Sequence, residues 1–154
     1  MTKFTFPAAF TVANLALAYL EFPASFDSGG HTNTLLSNLR WAADWLLGAR
    51  YAPDAFVAVT WAPGKTIKQS HAWWGKPEEV KQAASVKAIK APQAGADLLG
   101  QGAAALAAVS VVFKERDAKY SEKLLEVARG LYNQVGACSE GVHQSDPSRT
   151  HPTR

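Results

Sequence analysis

Thr32-Asn33-Thr34-Leu35-Leu36-Ser37-Asn38-Leu39-Arg40-Trp41-Ala42-Ala43-Asp44-Trp45-Leu46-Leu47-Gly48-Ala49-Arg50 decides the fold. Leu35, Leu36, Leu39, Ala42, Ala43, Leu46 and Leu47 recur at three- and four-residue spacing. That period places them on one side of a helix and leaves the other side to Asn, Ser and Arg. The spacing predicts a helix over residues 32–50.

The same period flanks this stretch. A helix is expected over residues 7–21, because Pro7 suits a first turn, where its missing N–H leaves nothing unpaired, and Pro23 ends the run. Another is expected over Ala96 to Phe113, with Asp97 in its first turn, well placed against the helix dipole. Its middle, Gly100 to Ala108, has almost no bulk. Small side chains let another helix approach closely or leave space at the top of a barrel. The two glycines weaken the helix, so tertiary contacts must offset them. A fourth helix, residues 117–134, carries Leu124, Leu125, Ala128 and Leu131. The four helices read as two hairpins spaced about 85 residues apart, which excludes a tetratricopeptide-like array with its 34-residue repeat. Residues 136–154 are rich in Ser, His, Thr and Pro, without period, and read as a disordered tail.

Between Tyr51 and Lys90 the helical period is lost. Phe56 to Trp61 reads as a short strand. Pro53, Pro63, Gly64, Gly75 and Pro77 punctuate the rest. Long insertions of this kind are functional or disordered, and three of the five Trp lie in this one, which points to function. Its densest part is Ser70-His71-Ala72-Trp73-Trp74-Gly75-Lys76-Pro77-Glu78, poor in helix formers and rich in flat rings. A Trp face supplies apolar area against a sugar ring at low entropic cost, and a His can hydrogen-bond its hydroxyls.

Size and composition bound the possibilities. A chain of 154 residues, 47% apolar, makes at most one ordinary domain with a real core. The net charge of +3 comes from scattered lysines (65, 68, 76, 81, 87 and 90), with no basic stripe interleaved with aromatics, so nucleic acid is not an expected partner. Cys138 alone permits no internal disulfide, and His31, His71, His143 and His151 lack metal-ligand spacing, so no metal or cofactor is expected. No segment has the roughly 20 unbroken apolar residues of a membrane span. Residues 4–20 imitate a secretory signal, but Pro7, Thr11 and Asn14 interrupt them. Trp41 and Trp45, at i and i+4, are expected in the core, and Trp61 is undecided. Glu78 and Glu79 are adjacent, which does not place two carboxyls on opposite faces of a bond. They read as solvated loop charges.

Four segments resemble one family. Lys3-Phe4-Thr5-Phe6-Pro7-Ala8-Ala9-Phe10-Thr11, Arg40 to Leu47, Ser70 to Pro77, and Ala94-Gly95-Ala96-Asp97 with its Ala-rich helix and Val111-Val112-Phe113 resemble successive motifs of family 9 glycoside hydrolases. Together they cover residues 3–135. The resemblance implies an all-α fold: helical hairpins forming about a third of a twelve-helix (α/α)6 barrel, with a long loop carrying a short β-strand or hairpin. It implies cellulase ancestry: inverting hydrolysis of internal β-1,4-glucosidic bonds by two carboxyl groups about 6.5–9.5 Å apart. His71 matches the family His that hydrogen-bonds sugar, and Trp74 the family Trp that stacks on it. Trp73 is expected to point inward.

The chain departs from the family too. The Asp-Ala-Gly-Asp motif carrying the catalytic base precedes the Lys-Phe segment in the family, and the general-acid Glu lies far downstream. Ser70 stands for an Asp, Gln101 for a Glu and Ala94 for a Pro. The expectation is therefore a partial domain without catalytic residues, inactive alone, whose partner is β-1,4-glucan (cellulose or cello-oligosaccharides) and whose family is secreted. The alternatives are a non-catalytic β-glucan-binding module and a helical scaffold that self-associates through exposed helix faces.

Overall fold

A computed structural model describes residues 1–90, 93 and 95–144. In chain order these form β1 (Thr2–Phe4), α1 (Thr5–Glu21), α2 (Pro23–Ser28), α3 (Thr32–Ala49), β2 (Ala55–Trp61), α4 (Ile67–Ala72), a 3-10 turn (Pro77–Glu79), β3 (Ser85–Lys90), α5 (Ala96–Phe113) and α6 (Ala118–Gln144).

The core lies where α1, α3, α5 and α6 meet. α5 is central, packed on both α1 and α6. Small buried residues on α1 (Ala9, Ala13, Ala16) and on α5 (Gly102, Ala103, Ala105) allow the close approach expected of the Ala-rich stretch. Leu39 and Leu46 of α3, Leu99 and Leu106 of α5, and Leu124 and Leu131 of α6 fill the interior, with Phe56 from β2. α5 is apolar and long enough to cross a membrane, but 61% of it is buried within the molecule, as a core helix requires.

Local signals shape the connections. Pro23 opens α2 at its first position. A Schellman turn closes it: the His31 N–H donates to Phe26 O and the Gly30 N–H to Asp27 O, with Gly30 at φ 68°. This reverses the chain into α3. Asp117 caps α6, its Oδ1 accepting the Tyr120 N–H at 3.1 Å. Its Oδ2 pairs with Arg40 Nη2 at 2.8 Å. The Arg40 guanidinium lies 4.1 Å from the Tyr120 ring centroid and 4.7 Å from that of Phe113. Tyr120 Oη donates to Asp44 Oδ1 at 2.8 Å. α3 is thus latched to the α5–α6 turn. Arg116 Nη2 donates to Tyr19 Oη at 2.7 Å and ties α1 to the same end.

The expected strand is β2, and it forms the middle of a three-stranded antiparallel sheet ordered β1-β2-β3. Thr2 pairs with Trp61 and Phe4 with Val59, and Trp61 pairs with Ser85 on the other side. A bulge falls between Val57 and Val59.

Two expectations need correction. The segment 51–90 is not free of helix: Thr66 and Gln69 form a reciprocal capping box that starts α4, which holds Ser70 and His71. The period of α6 does not stop at 134. Leu124, Ala128, Leu131, Val135 and Cys138 continue one stripe, and the helix runs to Gln144 where a tail was expected from residue 136. Residues 145–154 of that expected tail lie outside the described residues.

Candidate functional site

The capping box starts α4, which carries Ser70 and His71 beside β1, and the chain leaves the helix at Trp73 and Trp74. Ser70 is buried and joins the two elements. Its Oγ donates to Ala62 O at 3.0 Å and accepts from Thr2 Oγ1 at 3.2 Å and from the Met1 amino group at 3.0 Å. Ser70 is therefore a hydrogen-bonded anchor between α4 and β1.

His71 and Trp74 line one cavity of about 550 Å³, with Met1, Thr2, Trp73 and Lys76. The structure brings the two sequence-chosen residues together. Trp74 is 99% exposed, so almost all of its indole surface faces solvent. A large apolar ring held in water at the rim of a cavity has the form of a stacking surface rather than a core residue. The His71 ring is also exposed and lies 6.1 Å from the Phe4 ring at an interplanar angle of 58°. Trp73 is half-buried and turns back: a Cβ on Gly75 would fall 2.6 Å from Trp73 Cζ2. Any other residue at 75 would displace that ring. Glu78 and Glu79 sit on the 3-10 turn, exposed, outside the cavity lining. Among the described residues no Asp or Glu lines this cavity, and no cluster of three or more His, Cys, Asp or Glu has the placement of a metal site.

Trp41 departs from expectation. It is 71% exposed, while Trp45 is partly buried against the core. Trp41 and Trp45 border a second, smaller hollow of about 300 Å³ with Lys3, Phe4 and Val12, and Lys3 Nζ stands 6.0 Å from the Trp41 ring centroid. Trp61, undecided from sequence, is half-buried, with its Nε1 enclosed and unpartnered among the described residues. Thr2 and Phe4 were not foreseen at the site. Their signal is the alternation of a strand too short to recognise without its partner.

Paired helices around a small sheet, with an aromatic cavity beside the sheet edge, define a partial (α/α)6 barrel of the glycosidase type. The chain belongs to glycosyl hydrolase family 9, whose profile it matches over residues 1–153. It is 35% identical over 130 residues to endoglucanase A of Bacillus pumilus, a match covering 84% of this chain and 19% of that protein. The endoglucanase of the termite Nasutitermes takasagoensis superposes with a TM-score of 0.81 at 30% identity, covering 99% of this chain and 35% of that one. The cellulase Cel9M of C. cellulolyticum in complex with cellobiose superposes at 0.81 with 27% identity, covering 88% and 31%. The chain thus spans about a third of these solved relatives and a fifth of the bacterial one.

Proposed function

We propose that this chain forms one wall of a glucan-binding cleft of the family 9 cellulase type, holding β-1,4-linked glucose units with Trp74 as stacking platform and His71 as hydrogen-bonding partner. The observation that carries this is the pairing of a 99% exposed indole with an exposed imidazole in one cavity, in a chain of this family. A sugar ring offers an apolar C–H face to the indole and hydroxyls to the imidazole nitrogens. The cellobiose complex of Cel9M supports glucan as the ligand class. An extracellular setting, expected from the family, belongs to the same reading.

The chain alone does not hydrolyse glucan in this proposal. Inversion needs two carboxyl groups facing each other across the bond, about 6.5–9.5 Å apart, and the cavity lining offers none. Calorimetric titration with cellohexaose tests the binding, and release of reducing ends from carboxymethylcellulose tests the inactivity. Saturable binding that falls in Trp74→Ala, without turnover, is the expected result. An unchanged titration in Trp74→Ala would refute the assignment, and turnover that copurifies with the chain would refute the inactivity.

A second reading, association through helix faces, has its own observation. Phe6, Phe10, Leu15, Leu17 and Leu20 of α1 are all exposed, although the opposite face of α1 is buried. A helix apolar all round belongs in an interior. Sedimentation velocity would show a concentration-dependent shift that Phe10→Ser reduces. A single monomeric species at every concentration would rule this out.

A further inference from the structure

We infer that the cavity of His71 and Trp74 selects β-1,4-glucan that carries carboxylate groups over the neutral polymer, with Lys76 as the partner of the carboxylate. The inference rests on the glucan-binding reading above and names a substituent of its ligand.

Charge is distributed unevenly along the chain. Residues 51–90 hold six of the 16 basic residues (Lys65, Lys68, Lys76, Lys81, Lys87 and Lys90) and three of the 13 acidic ones. The whole net charge of +3 therefore falls in the segment that carries the cavity, and the rest of the chain is balanced. These lysines are not neutralised from within. Among the described residues the one ion pair is Arg40 with Asp117, so none of the six has a carboxylate within 4.0 Å. A surface of one sign raises the local concentration of ligands of the other.

Lys76 brings that charge to the sugar. It lines the cavity of about 550 Å³ with His71 and Trp74, and no Asp or Glu lines it. Pro77 restricts the residue before it to extended backbone, and Lys76 has φ −73° and ψ 141°. Its carbonyl accepts the Glu79 N–H at 3.0 Å and so opens the 3-10 turn. The backbone is thus fixed while the side chain is exposed. Two residues of chain span at most about 7 Å. A sugar ring stacked on Trp74 therefore has its edge within reach of the Lys76 stem. Lys68 adds to the field, three residues before His71 on the same face of α4. Of the nearby acids, Glu79 Oε2 lies 3.0 Å from where a Cβ on Gly75 would stand, beside the Trp73 ring, and Glu78 is exposed on the turn. An ammonium can donate to a hydroxyl, but its bonds to a carboxylate are about twice as strong.

The test compares ligands that differ only in charge. Cellotetraose, its C6-oxidised form and its carboxymethylated form are titrated calorimetrically into the native chain, Lys76→Gln and Lys87→Gln, at about 20 mM and about 500 mM salt. Circular dichroism confirms the fold of each variant. At low salt the native chain is expected to bind a carboxylated form about fivefold more tightly than cellotetraose, as one exposed ion pair would give. Whichever carboxylated form gains more identifies the position of the carboxylate, on the ring carbon or on an ether arm. High salt and Lys76→Gln should each erase the advantage. Lys87→Gln, on β3 and outside the cavity lining, should keep it. Equal affinity for neutral and carboxylated forms overturns the selection. So does an advantage that survives Lys76→Gln, or one that Lys87→Gln removes as fully. Each of these results leaves the glucan-binding reading standing as long as cellotetraose binds. Absence of binding by all three ligands overturns both.

Discussion

At the scale of single residues, exposure separates the tryptophans into different tasks. Trp74 meets no neighbour that its loss would leave unpacked. Trp74→Ala should therefore change stability by no more than about 0.5 kcal/mol, measured by chemical denaturation, while weakening cellohexaose about tenfold. The position of Trp41 was legible in principle. It sits two residues from Leu39 and two from Ala43, and at about 100° per residue that turns it to the far side of the helix from both. Trp45, one turn on, lies near enough to the stripe of Leu35, Leu39, Ala43 and Leu46 to be partly covered, while Trp41 is not. Cys138 gives a second residue-level prediction. It is 1% exposed, and burial pushes its thiol pKa up, so little thiolate forms near neutrality. Reaction with a disulfide reagent should be slow in buffer and fast in denaturant. Rapid labelling of the folded chain would contradict the burial of this part of α6.

At the scale of elements, the Gly pair of α5 shows how far sequence reasoning reached. Composition predicted that tertiary contact must offset both glycines. The structure assigns that contact to one. A Cβ on Gly102 would lie 2.8 Å from Phe56 Cε1 and 2.9 Å from Cζ, whereas one on Gly100 meets nothing within 4 Å. Gly102→Ala should therefore destabilise by about 1–3 kcal/mol, and Gly100→Ala should stabilise by up to about 1 kcal/mol, both read from urea midpoints. Helix boundaries were legible where period and punctuation agree: α3 and α5 begin where the apolar spacing placed them. β1 and β3 were not: β1 has three residues, too few for a period, and its partner lies far along the chain, while the six residues of β3 lack strict alternation, with Ala88 and Ile89 adjacent. α4 was hidden for a related reason. Its start depends on a side-chain exchange between Thr66 and Gln69, in a stretch where Gly and Pro dominate the composition.

At the scale of the whole molecule, the latch around Arg40 ties three helices and sets a dependence on pH. The hydrogen bond from Arg40 and that from the Tyr120 backbone N–H hold the Asp117 carboxyl below its usual range. A carboxyl whose folded pKa is depressed contributes stability above its unfolded pKa, about 3.9, and loses it as pH falls through the folded value. The melting temperature should therefore drop below about pH 4, and less steeply in Asp117→Asn. Identical profiles would remove the latch from the account of acid stability. The latch itself was beyond sequence reasoning, since Arg40 and Asp117 are 77 residues apart. The four family-like segments were legible from their order and spacing taken together, while the ring contact that joins Phe4 of the first to His71 of the third is visible only once the chain has folded.

The pairing of β1 with β2 also has a kinetic meaning. Thr2 must find Trp61, and the chain between them includes α1, α2 and α3. Closing so long a loop is entropically unfavourable until those helices have docked, whereas α5 and α6 meet across a short turn. The nucleus of folding therefore belongs to the helical hairpin, and β1 joins late, with φ-values near zero expected for substitutions at Lys3 and Thr60. The wall proposed to meet the sugar is then the last part of the molecule to assemble and the first to open. A bound oligosaccharide would slow hydrogen exchange along β1 well before it altered exchange in α5.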